Sequence, residues 1–379
     1  MMYVMRAALI CITVWPMASA CSVRDAPDTP AAPATPATQI SPSPSSDAQA
    51  PGRSSGSQFI ARDFARFTRS RLQAISVVSE DVFWVSGLDG YWGKTADGGE
   101  SWVSGQIPGA ESLQLRDIHA FDDGVAFAMS AGAGDESRIY RTDDGGVSWR
   151  EQWVMPEVDG FLDCFDFWSP KRGLAYGDSI DGQLYLLQSD DGRTWRRVSP
   201  GDLPAAVGKE GGFAASGTCV RVDGDSAAWI GTGAGDRPRV LHTEDGVHWE
   251  AVEVPIVAGD AAGVMTVALG AEGMVVVLGG DLERRETRTS NVAWSADGGS
   301  TWSRSPSPGF LGPIYGADMI SLVDGVDLAA AGPAGLDLSI GGLDRWSQMS
   351  RSEYWAVAFL GPNSLVAVGP EGRITRFSW

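Results

Sequence analysis

From Leu72 onward the chain is a succession of short apolar runs, few of them long enough for a helix. One series alternates apolar and polar residues as a half-buried strand does: "LQAISVV", "LRDIHAF", "LDCFDFW", "SGTCVRV", "VMTVALG", "YGADMISL" and "YWAVAFL". A second series follows it, unit by unit, as continuous apolar runs ending in glycine at Gly87, Gly132, Gly177, Gly231, Gly279, Gly332 and Gly369. Seven first strands and seven second strands predict seven units. No convincing amphipathic helix occurs in 58–379.

A third element recurs between these pairs. "TADGGESW" at 95–102 returns as "TDDGGVSW" at 142–149 and "SADGGSTW" at 295–302, shortened as "SDDGRTW" and "TEDGVHW", and decayed as "SIGGLDRW" at 339–346. The closing tryptophans, Trp102, Trp149, Trp195, Trp249, Trp302 and Trp346, are spaced by 47, 46, 54, 53 and 44 residues. That period fits a four-stranded propeller blade. The fold expected is all-β: a seven-bladed β-propeller. The seventh unit has no such phrase before Trp379, so its outer strand is expected from 60–72, which closes the ring and hides the raw edges.

The phrase itself reads as a turn from a third strand into a fourth. Asp144 accepts backbone N–H groups, Gly146 allows a positive φ, and Trp149 opens the return strand as a packing group. A calcium loop would need a glutamate at its twelfth position, where Val154 stands. Identical turns spread around a ring do not converge on one substrate, which argues against catalysis. The phrases resemble the Asp-box, or bacterial neuraminidase repeat, S/T-x-D-x-G-x-S/T-W. Gly341 departs from it where aspartate belongs. With "FLDCFDFW", "GDSIDGQ", "EGGFAASGT" and "GPAGLDLS", residues 59–379 resemble the seven-bladed group that includes the photosystem II stability and assembly factor, whose bacterial relatives are often labelled oxidoreductase. The resemblance implies an assembly or stability factor, with the turns on the rim.

The N-terminus adds an address. Residues 1–20 read as a signal peptide: Arg6, the apolar run Ala7–Trp15, then Ala18-Ser19-Ala20. Cys21 follows in "ASAC", which resembles a lipobox except for Ala18 where leucine is preferred, so Cys21 is the expected lipidation site. Residues 21–57 form a Pro/Ala/Ser-rich linker with too little apolar surface to fold, and 58–379 is the propeller. The expected protein is exported and membrane-anchored through its lipid, facing the periplasm or cell surface. Its formal net charge of -19 excludes a phosphate-coating, nucleic-acid-binding surface.

Catalytic signatures are sparse. His119, His242 and His248 lack metal-ligand spacing, so no metal site is expected. "GTGAGD" is followed by Pro238, which opposes the helix a dinucleotide loop must open, so no cofactor is expected. Cys164 and Cys219 occupy the same point of adjacent first strands, either as a disulfide or as two buried thiols. Loops opposite the repeated turns are long and varied. They nominate Asp178 and Asp181, then Glu210 and Ser216 beside Lys209, then Asp236 and Arg237 beside Arg239, and Asp281 and Arg284 beside Arg285. Asp178, Glu210 and Asp281 are expected to face a shared central hollow that binds a protein partner or a small ligand. The alternatives are a glycoside hydrolase of the neuraminidase-like superfamily, which needs two carboxylates across a cleft, and an oxidoreductase without a cofactor motif.

Overall fold

The computed structural model describes residues 59–289 and 291–379. The signal peptide, Cys21 and the linker lie outside the described residues. Seven antiparallel sheets follow one another along the chain. Blade 1 runs Leu72–Val77, Phe83–Gly87, Tyr91–Thr95 and Val103–Gln106. Blades 2, 3, 4, 5 and 6 open with Leu115–Ala120, Leu162–Phe167, Val220–Asp223, Gly259–Leu269 and Gly316–Leu322. Blade 7 takes its first three strands from Ala356–Gly361, Ser364–Gly369 and Arg373–Ser378. Its fourth is Ile60–Asp63, in register from Ile60 opposite Ser378 to Asp63 opposite Thr375. First strand meets first strand around the ring, and Leu72–Val77 packs on Ala356–Gly361 to close it. The described residues thus form a seven-bladed β-propeller closed by an N-terminal strand.

Burial explains why the strand patterns differ. Second strands such as Phe83–Gly87 and Ala126–Ser130 are buried throughout, because blades cover both faces, so they are apolar runs rather than alternating ones. Outer strands such as Val103–Gln106 are mostly exposed. Four first strands carry a polar residue that clasps the next blade. Ser76 Oγ accepts from Ala120 N at 2.9 Å, Asp117 from Phe165 N at 2.8 Å, Asp166 from Val222 N at 3.0 Å and Asp318 from Phe359 N at 2.8 Å. Each clasp satisfies a backbone donor that the blade boundary would otherwise strand.

The repeated turns are built alike. Thr95 Oγ1 accepts from Gly99 N at 2.9 Å, while Asp97 accepts Ser101 N at 2.8 Å and Ser101 Oγ at 2.5 Å. Those donors, the Ser101 hydroxyl foremost, lower the Asp97 carboxyl to about 2. The set recurs at Thr142/Asp144/Ser148 and Ser295/Asp297/Thr301. In one of the two shortened turns His248 replaces the hydroxyl, with Nδ1 2.6 Å from Asp245, while in the other Thr194 keeps it. Where Gly341 replaces aspartate, Asp327 reaches in to accept Gly341 N at 2.9 Å. The closing tryptophans pack on blade seams: Trp149 of blade 2 sits 5.7 Å from Trp92 and 6.3 Å from Trp84 of blade 1.

Candidate functional site: the two ends of the central channel

All first strands run the same way, so the channel has one end at their N-termini, beside the blade-to-blade connections. The other end lies at their C-termini, on the side of the repeated turns. The two ends differ.

At the N-terminal end the channel is filled by the connection from blade 3 to blade 4. Residues 211–220, "GGFAASGTCV", are buried without exception. Gly211 and Gly233 exchange backbone hydrogen bonds of 3.1 and 2.9 Å. Asp163 of blade 3 accepts from Gly212 N at 3.1 Å, Arg116 of blade 2 donates to Ala214 O at 2.6 Å, and Ser216 Oγ donates to Tyr315 O at 2.8 Å. Phe213 and Ala215 pack with Met265, Tyr315 and Trp355 of blades 5 to 7. Five blades therefore grip one segment. Its glycines are required by proximity: Gly217 has φ +77°, and a Cβ there would lie 2.1 Å from Asp117 Oδ1.

Beneath this plug lies a cavity of about 400 Å³ lined by residues from all seven blades. Ser216, Gly217 and Thr218 roof it, and its walls come from the C-terminal halves of the first strands. Asp117, Asp166 and Asp318 stand around Arg221. His119 Nδ1 lies 2.8 Å from Asp166 Oδ1, and its ring sits 4.8 Å from Phe121 and 5.2 Å from Phe167. Burial raises Asp117 well above the usual carboxylate range despite the Phe165 N–H. Burial likewise raises Asp318 against the pull of Arg221. Burial would raise Asp166 too, but the His119 hydrogen bond and charge, with Arg221, hold it below its ordinary value. The result is a blind socket with charged, polar and aromatic walls.

The nominated loop residues do not share a hollow. Glu210 is buried and turned sideways. It accepts from Arg239 at 3.0 and 2.6 Å, Thr232 Oγ1 at 2.7 Å and Val207 N at 3.0 Å, which makes it a brace for the plug. Asp178 abuts Gly211 and Asp163, and its carboxyl is raised to about 6 by burial, opposed by Gly212 N–H. Asp281 accepts from Glu283 N at 2.9 Å in its own turn and pairs with exposed Arg284 at 3.3 Å. Arg237 pairs with Glu253 at 2.7 Å, and Asp181 and Asp236 are exposed. Only Ser216 lines the cavity. The physical reason is that each carboxylate is engaged where it stands, Glu210 by Arg239, Thr232 and Val207 N and Asp281 by Glu283 N and Arg284, while the plug fills the space they would have faced. Cys164 and Cys219 are joined by a disulfide with Cα atoms 5.8 Å apart, at the root of this segment.

His119, Asp117, Asp166, Arg221 and Asp318 were not nominated from sequence. Their signal was present: ionisable residues inside otherwise apolar first strands, as in "LRDIHA" and "LDCFDF". Among the described residues no group of three or more His, Cys, Asp or Glu could hold a metal ion.

No family model matches the chain, and no curated protein matches it. Solved structures do resemble it. A structure described as YCF48 bound to D1 peptide is 15% identical with a TM-score of 0.59, covering 86% of this chain and 98% of that one. YCF48 from Cyanidioschyzon merolae is 14% identical with a TM-score of 0.59, covering 84% and 98%. A catalytically inactive virginiamycin B lyase from Staphylococcus aureus, solved with quinupristin, is 11% identical with a TM-score of 0.61, covering 85% and 100%. At these identities the likeness is one of fold.

Proposed function

We propose that this chain is an exported, lipid-anchored propeller that binds a segment of another protein in the cell envelope and assists assembly or stability of a membrane complex. The observation that carries the reading is the blind socket: a concave cavity walled by all seven blades and roofed by a braced plug. The socket is concave and lined by polar and charged groups with aromatic rings between them, so a guest would be held by placed hydrogen bonds and charges as well as by apolar contact. Phe165, Phe167 and Phe359 supply the apolar body, and Asp166, His119 and Arg221 the polar specificity. A fold neighbour described with a bound peptide supports protein binding. Anchoring rests on Cys21 and the linker in the sequence.

The test is affinity capture from detergent-solubilised envelopes, read by mass spectrometry, with Cys21→Ala fractionated in parallel. The reading expects one protein in stoichiometric yield, and loss of the Cys21→Ala chain from the membrane fraction. No co-purifying protein would remove the binding claim, and unchanged fractionation would remove the anchor.

A further inference from the structure

We propose that the plugged mouth of the channel, away from the socket, carries a separate carboxylate-binding site centred on Arg71. The chain enters the first strand of blade 1 as "RSRLQA", and Arg71 lies just before the channel wall begins. Its guanidinium sits 4.1 Å from the Trp355 ring, whose centroid is 4.5 Å from that of Tyr315, with the planes 25° apart. Tyr315 and Trp355 thus form a stack on which Arg71 is laid. A cation held on an aromatic ring is fixed in orientation and poorly hydrated.

Among the described residues no hydrogen bond completes this arrangement. Arg71 Nε is buried without a hydrogen-bond partner, and so is the hydroxyl of fully buried Tyr315. Gln73, two residues on and fully buried, leaves both Nε2 and Oε1 unpartnered. Gln73 is the bulged residue of its strand, as Arg116, Asp163 and Met265 are of theirs, and those three all contact or pack on the plug. Buried polar groups in native proteins are nearly always paired, so the unpaired Arg71 Nε and Tyr315 hydroxyl on one aromatic stack, with Gln73 two residues along the chain, point to a missing partner.

The charges select an anion. Arg116 lies 6.0 Å from the same ring, and exposed Arg285 also bears on Arg71. Burial lowers Arg71 from its usual value, Glu353 and Tyr315 oppose that, and Arg285 adds to it. Burial and then Arg71 lower Arg116 to about 10, against Asp163. The nearby Glu353 carboxylate is engaged by Trp355 Nε1 at 2.8 Å. A planar monoanion matches one guanidinium fork, with the Tyr315 hydroxyl and the Gln73 amide as further donors. A phosphate dianion would be opposed by Glu353 beside it.

The test uses the full-length chain in detergent, with carboxyl-labelled acetate followed by carbon NMR at fixed ionic strength. A pentapeptide with a free or an amidated C-terminus runs alongside. The expected result is a saturable shift for acetate, or for the free-ended peptide alone. The first marks a small carboxylate as the source and the second a polypeptide end. Arg71→Met should weaken the response at least tenfold. Gln73→Glu, which places a carboxylate inside the site, should abolish it and raise Tm, and it guards against misfolding of the Arg71 variant. The proposal is overturned by no saturable response to any probe, by inorganic phosphate binding as tightly as acetate, or by a response unchanged in either variant.

Discussion

The two ends of the channel are made by the same seven strands, yet one is filled and the other hollow. The hollow end follows the repeat: every blade lends residues to its wall, and Asp117, Asp166 and Asp318 clasp the next blade. The filled end breaks the repeat. A single connection, longer than its counterparts and rich in small residues, leaves its blade and crosses the axis to Met265, Tyr315 and Trp355. The comparison teaches that a ring of near-equivalent units gains a distinct site when one connection ends the symmetry. Without the plug the channel would be a bore open at both ends; with it the channel is a socket.

The largest break in this comparison comes from the disulfide at the root of the plug. Cys164 and Cys219 close a loop of 55 residues. Removing both thiols as Cys164→Ala/Cys219→Ala should cost about 4 kcal/mol by loop-closure entropy. Urea denaturation under oxidising conditions measures it, and an unchanged midpoint would show that the bond contributes nothing to the plugged end.

Next is the plug itself. Gly217→Val combines a positive φ with a contact against Asp117. It should cost about 3 kcal/mol, the range for a strained backbone with overpacking. The same change at Gly182, which also has a positive φ but open space around its Cβ position, should cost less. Equal losses would mean that backbone conformation, not the packed plug, sets the penalty.

A smaller effect is carried by pH. Asp178 is raised in the folded state to about 6 from 3.8. Between those values the folded chain holds more protons than the unfolded one, so this group's contribution favours folding at low pH and is lost as pH rises through about 6. Asp97 runs oppositely: its stabilisation is present above 3.8 and lost as pH falls through about 2. Asp178→Asn should therefore flatten the decline in stability between pH 4 and pH 6, and Asp97→Asn should leave it alone. A slope unaltered by Asp178→Asn would detach that carboxyl from the plug's energetics.

The smallest effect belongs to one repeated turn. Asp97→Ala removes the acceptor of two hydrogen bonds from exposed Ser101. It should lower Tm by less than any plug substitution, since such turns lie in solvent and five blades do not depend on them.

The fold was legible because it is repetitive. Strand alternation, glycine-ended second strands and the spaced tryptophans each reported the same period, and the closing strand followed from the need to hide an edge. The site was legible only in part. Loops around "GDSIDGQ" and "GKEGGFAASG" stood out as varied and polar, but whether Glu210 meets solvent or Arg239 depends on where the backbone of 205–216 travels. Periodicity carries no information about a connection that departs from the period. His119 and Arg221 were obscured for the opposite reason: they sit inside strands that the pattern assigned to structure, and their convergence arises only when the ring closes.

The central claim is that the socket, not the loop face, is the surface that recognises a protein. Ala358 lines the cavity on the last blade and is half-buried, so Ala358→Trp fills the socket while leaving the clasps and the plug intact. Val147, exposed on a repeated turn, provides Val147→Lys as a control away from it. Envelope capture should be compared quantitatively for wild type and the two variants. The account predicts that the co-purifying protein falls at least tenfold with Ala358→Trp and is unchanged with Val147→Lys. Capture that persists undiminished in a correctly folded Ala358→Trp chain would contradict it.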